Sequence, residues 1–234
     1  MSSTFYDHLV ASTARERTTF QQIPVIREAI QGRVDLPLYL RYLEQAYHHV
    51  RHTCPLMGAA LARCTGRDSR YREALLAYLD EERGHEHWIL DDIAALGGDR
   101  ERVAAGEGNA ATRIMVGYAY YAIEHISPYA LLGMVHVLEG MSVALADTAA
   151  KGIAASIGKS DLVEKGDAMT PGFSYLRSHG GLDQDHVRFF ETLVNGLPDN
   201  KTEDVVIDTA RLMYRLFGDV FHSLTDEGAS RYAA

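Results

Sequence analysis

The stretch "ISPYALLGMVHVLEGMSVALA", residues 126–146, decides the fold. Glu139 is its one formal charge, and by length and apolarity alone it could cross a membrane. Pro128, His136, Glu139, Gly133 and Gly140 interrupt it, however, and no basic flank follows. It therefore reads as a helix at the centre of a protein core, with no membrane partner.

Outward from that helix the chain is helical throughout. No convincing period-two strand appears, and apolar residues recur at helical spacing. The pattern predicts helices over Phe5–Phe20 and Val25–Gln31, then Pro37–Arg63 behind an Asp35 N-cap. A helix opened by Asp68 or Ser69 runs to Leu96 and stops at "GGD". After a loop over 97–110 come Ala111–His125, Pro128–Ala155 with Ser127 as cap, a helix holding His186 and ending at Asn195, and Glu203–Leu224. With no repeat and no low-complexity linker, residues 1–234 read as one all-α domain.

The composition narrows the function. At 47% hydrophobic and 24% charged, 234 residues can bury a full core. The net charge of −9 argues against a nucleic-acid partner. Cys54 and Cys64 form no CxxC motif, which excludes a disulfide scaffold and a thiolate zinc site. "MSSTFYDHLV" has no signal-peptide pattern, so a cytoplasmic protein is expected.

Several carboxylates and histidines fall on apolar faces. Glu44 flanks the stripe of Leu36, Leu40, Leu43, Tyr47 and Val50, whereas His48, His49 and His52 rotate outward toward a solvated or interface face. Glu82 lies within the stripe of Leu75, Leu79, Leu90 and Ile93, with Glu81 opposite and His85 at the edge. This Glu-x-x-His pair is the i, i+3 unit that carries metal in carboxylate-bridged bundles, with Glu86 as a rival. Glu139 is a stronger signal, because a lone carboxylate in apolar surroundings needs a cation or a hydrogen-bond network.

A second acid-x-x-His unit lies in "SHGGLDQDHVRFF", residues 178–190. His179, Asp183 and His186 follow at steps of four and three, which a helix brings to one face. Gly180 and Gly181 weaken that helix. Four carboxylates and three imidazoles would balance two divalent cations in an oxygen-and-nitrogen shell that suits iron or manganese.

The order Glu44, Glu82-x-x-His85, Glu139, His179-x-x-x-Asp183-x-x-His186 resembles the haem-oxygenase-like non-haem diiron oxidases and oxygenases. The resemblance covers essentially the whole chain. It implies a seven-helix bundle, an iron site that activates dioxygen, a small organic substrate and a homodimer. On that reading two iron ions, or manganese, are held by Glu44, Glu82, His85, Glu139, His179, Asp183 and His186. Glu139 and Glu82 are then the catalytic candidates, Glu139 as the bridging carboxylate. Haem oxygenases use an early histidine, and only His8 precedes residue 48. A cofactorless or metal-free member of the same superfamily, and a non-catalytic iron-binding protein, are the competing readings.

Overall fold

The computed structural model describes residues 4–164 and 169–225, and within these the side chains of all but 179–186. The chain opens with α1 (Phe5–Ser12), α2 (Ala14–Gln21) and α3 (Pro24–Ile30). Next come α4 (Leu36–Val50), α5 (Thr53–Arg63), α6 (Ser69–Glu82), α7 (His85–Ala95) and α8 (Arg100–Ala105). The second half holds α9 (Ala110–His125), α10 (Ala130–Ser156), α11 (Ser160–Glu164), α12 (Ser174–Val194) and α13 (Asn200–His222). No strand occurs among the described residues, so the all-α expectation holds.

These thirteen segments exceed the seven expected, largely because helices expected to be continuous are broken. Thr13 separates α1 from α2, and its hydroxyl donates back to the Leu9 carbonyl at 2.8 Å. The expected 37–63 helix breaks at Arg51 and His52. The expected 69–96 helix breaks at Gly84, whose φ of +93° only glycine adopts readily. The 97–110 connection also contains the short α8, capped by Asp99.

The local signals elsewhere hold. Asp35 caps α4 by accepting from the Leu38 amide at 2.9 Å. α7 ends at Gly97 in the left-handed region. α12 continues through Gly180 and Gly181 despite their low propensity.

α10 is the central helix. It is long and apolar enough to cross a membrane, but over half of its most apolar window is buried inside the structure. Its strongest contacts are with α12 and α13, and α3 packs near its C-terminal half. Leu132, Val137 and Met141 join one apolar cluster with α5, α6, α9 and α13. Ala146, Ala150 and Ile153 join a second with α4 and α7. At Gly133 an added Cβ would sit 2.7 Å from the Ala210 amide nitrogen, so α13 crosses there in near backbone contact. This close packing explains why so apolar a helix belongs in this core.

Candidate metal centre and flanking cavities

The break at Gly84 builds the first part of the site. Glu82 is the last residue of α6 and His85 the first of α7, and both side chains are buried. His85 Nδ1 and Glu82 Oε2 lie 3.1 Å apart. The His85 ring stacks on Trp88 at 4.0 Å between centroids, which fixes its plane. The Glu-x-x-His pair thus meets across a kink instead of along one helix.

Electrostatics connect this pair to α10. Burial pushes the Tyr78 hydroxyl far above its ordinary range, and the charges of Glu139, Glu81 and Glu82 raise it further. The Cys54 thiol is likewise pushed up by burial and then by Glu86 and Glu82. Glu139 from α10 and Glu82 from α6 thus both act on Tyr78, as does the exposed Glu81. Glu81 is exposed and Glu82 buried, as the helical stripe predicts.

The third part is α12. Residues 179, 183 and 186 fall on this helix, but the side chains of His179, Asp183 and His186 lie outside the described residues. What starts α12 is clear. Asp92 of α7 has no exposure, and its Oδ1 accepts from the amides of Gly172 and Ser174 and from the Ser174 hydroxyl, at 2.7–3.0 Å. Its Oδ2 accepts from the Tyr175 amide at 2.9 Å. Burial pushes the Asp92 carboxyl up, and these four hydrogen bonds pull against that rise. Tyr39 adds a hydrogen bond from its hydroxyl to the Gly172 carbonyl at 2.9 Å and stacks on Phe173. No sequence signal marked Asp92, since its partners lie 80 or more positions away.

On α4 the structure gives Glu44 a partner and encloses two histidines expected to face outward. Glu44 is a surface ion pair: Arg102 of α8 grips it with two hydrogen bonds, at 2.8 and 3.2 Å. The bidentate guanidinium satisfies the carboxylate that the apolar stripe suggested for the interior. Conversely His48 and His49 are buried, not solvated, because every residue from Gln45 to Val50 is enclosed. His49 meets Phe217 edge-on and lines an interior cavity. His52 is half-buried, with its Nδ1 3.2 Å from the Tyr120 hydroxyl.

Two cavities flank the centre. One, of about 110 Å³, is walled mainly by apolar side chains of α3, α4, α10 and α13, including Ile26, Leu38, Leu145 and Phe217. The other, of about 420 Å³, is lined by Tyr6, Arg17, His136, Glu139, Phe190 and Tyr214 among others. Met141 lines both. On α12, Tyr175 and Leu176 line the first and Val187 and Phe190 the second.

Among the described residues no three histidine, cysteine or acidic side chains converge as a metal site. The donors that are described nonetheless suit a hard or borderline cation: Glu82 and Glu139 offer oxygen and His85 offers nitrogen, with no thiolate required. His8 is exposed on α1.

His136 provides a pH prediction. Burial lowers its pKa from 6.5 to about 4, helped by Arg17. The unfolded chain takes up the proton first as pH falls. Stability is therefore full above about pH 6.5 and is lost down to about pH 4, by up to about 3 kcal/mol. Urea unfolding at pH 7.5 and 4.5 should show a smaller loss in His136→Gln than in the wild type. An equal loss in both would refute the assignment.

A family described as iron-containing redox enzymes matches residues 40–218. No curated protein matches the chain. Among solved structures, the chain is similar to a domain of unknown function with a haem-oxygenase-like fold from Shewanella denitrificans OS217. That likeness has a TM-score of 0.80 at 20% identity, over 99% of this chain and 94% of the other. It is also similar to a haem oxygenase-2 from Synechocystis sp. PCC 6803, in complex with haem and NO (0.72, 15%, 98% and 88%). A TenA homologue from Pseudomonas syringae pv. tomato DC3000 is comparable (0.72, 14%, 93% and 90%). At these identities the likenesses establish the haem-oxygenase-like fold.

Proposed function

The chain belongs to the family of iron-containing redox enzymes, and from that premise we propose that it is a non-haem iron oxidase or oxygenase. Its reactants are O2 and a small organic substrate. The observation that carries the reading is the buried Glu82–His85 pair. The exposure of His8 supports a non-haem centre over an early-histidine haem site.

The proposed ligands are Glu82, His85 and Glu139, together with His179, Asp183 and His186 of α12. Glu44 is left out because Arg102 already holds it. Three carboxylates and three imidazoles suit two ferrous ions, with manganese a chemically similar occupant. Iron bound there would supply the redox chemistry with O2 that amino-acid side chains lack.

The protein's own groups have separate tasks. Glu82 is buried and Glu139 half-buried at the wall of the larger cavity, where their negative charge would hold cations. Trp88 fixes the plane of His85, and Glu82 sets which ring nitrogen faces away. Tyr78 stays protonated because burial and the neighbouring acids disfavour its anion. Asp92 fixes where α12 begins. A homodimer belongs to the same proposal.

The test is ferrous loading without air, desalting, metal analysis and O2 uptake on exposure to air. About two irons per chain and O2 consumption are expected, in keeping with the donor count. Protein that retains no iron would overturn the reading, and retained iron without O2 uptake would favour a non-catalytic iron binder.

A further inference from the structure

Arg17 is the one arginine or lysine among the described residues that line the larger cavity. It projects from α2 and is half-buried. Its neighbour Arg15 is exposed and lies 3.7 Å from Glu16, whereas Arg17 forms no ion pair or hydrogen bond among the described residues. Polar tyrosine and histidine side chains surround it, the Glu139 carboxylate lines the same cavity, and Glu191 and Glu16 act on the neighbouring tyrosines. Tyr6, His136 and Tyr214 come from α1, α10 and α13, and Arg17 influences the ionisation of all three. The His136 imidazole is already engaged, with its Nε2 3.2 Å from the Thr13 hydroxyl.

A guanidinium partly withdrawn from water and unpaired is costly, and this one faces a volume typical of small-molecule sites. Its planar fork matches a carboxylate bidentately. Apart from Gln21 and Glu139 the remaining wall is apolar, through residues such as Val10, Val135, Val143, Val187 and Phe190. Glu139, a proposed metal ligand, lines the same cavity. A molecule anchored at Arg17 therefore shares one cavity with a side chain of the proposed centre.

We propose that Arg17 anchors the carboxylate of the organic substrate, which is a small monocarboxylate with an apolar or aromatic body held in this cavity. The proposal rests on the iron-dependent oxidation reading, and the anchor can be tested apart from it.

Calorimetric titration of metal-free and ferrous-loaded protein, without air, would use three acids and their neutral alcohols. The pairs are 3-phenylpropanoate with 3-phenylpropanol, hexanoate with hexanol, and decanoate with decanol. Iron content is measured on the same samples, so loss of iron binding and loss of the anchor are separate readouts. At least one acid should bind about tenfold or more tightly than its alcohol, as a charge-assisted bidentate pair would give. Arg17→Met should abolish that preference while leaving alcohol affinity and iron content unchanged, and Arg17→Lys should keep part of it. The proposal is overturned if no acid outbinds its alcohol, absence of any binding included, or if the preference survives in Arg17→Met.

Discussion

Replacing Asp92 with alanine is expected to destabilise the protein by about 3–5 kcal/mol, the cost of breaking a buried, fully hydrogen-bonded charge network. Four donors would lose their acceptor: the amides of Gly172, Ser174 and Tyr175 and the Ser174 hydroxyl. Each buried donor left unmatched costs roughly 1–3 kcal/mol, and the four are not additive because α12 can shift to reach water. For a chain of this size the midpoint of thermal unfolding should fall by about 10 °C. Asp92→Asn separates packing from charge. Its carbonyl oxygen can keep the three partners of Oδ1, but its amide would face the Tyr175 amide donor to donor, so an intermediate loss is expected. If Asp92→Ala unfolds in urea like the wild type, the clamp is not what secures α12.

The second large effect concerns iron. Glu82→Gln and His85→Ala should each weaken ferrous binding by about 100-fold or more, since losing even an outer partner of a ligand costs about 10–100-fold. Asp183→Asn and His186→Ala should do the same from α12. Glu44→Gln should retain full iron content, because its carboxylate serves Arg102. Metal analysis after desalting distinguishes the two groups. Unchanged stoichiometric binding in both Asp183→Asn and His186→Ala would sink the assignment of α12 as a ligand helix. Loss of iron in Glu44→Gln would restore that residue to the set.

Much of this was legible from the chain. Asp35 before Leu-Pro and the Gly97–Gly98 stop are local signals, and each was found where its chemistry placed it. The period of 3.6 set Glu82 inside and Glu81 outside. It failed on α4, where it turned His48 and His49 outward. Periodicity assumes a helix covered on one side, and α4 is packed against α7 and α9 with Phe217 of α13 on His49.

Sequence alone determined the all-α class, most helix termini and the inward setting of Glu82. Each depends on backbone preferences and neighbours within about one helical turn. Tertiary structure decided what those side chains meet. Arg102 reaches Glu44 across 58 positions, Asp92 reaches the start of α12 across 80, and Arg17 shares a cavity with Glu139. Spacing along a helix says which face a charge occupies. Whether that charge faces a cation, a row of amides or a cavity depends on helices distant in sequence, because a buried polar group must find its partner wherever the packed chain brings one.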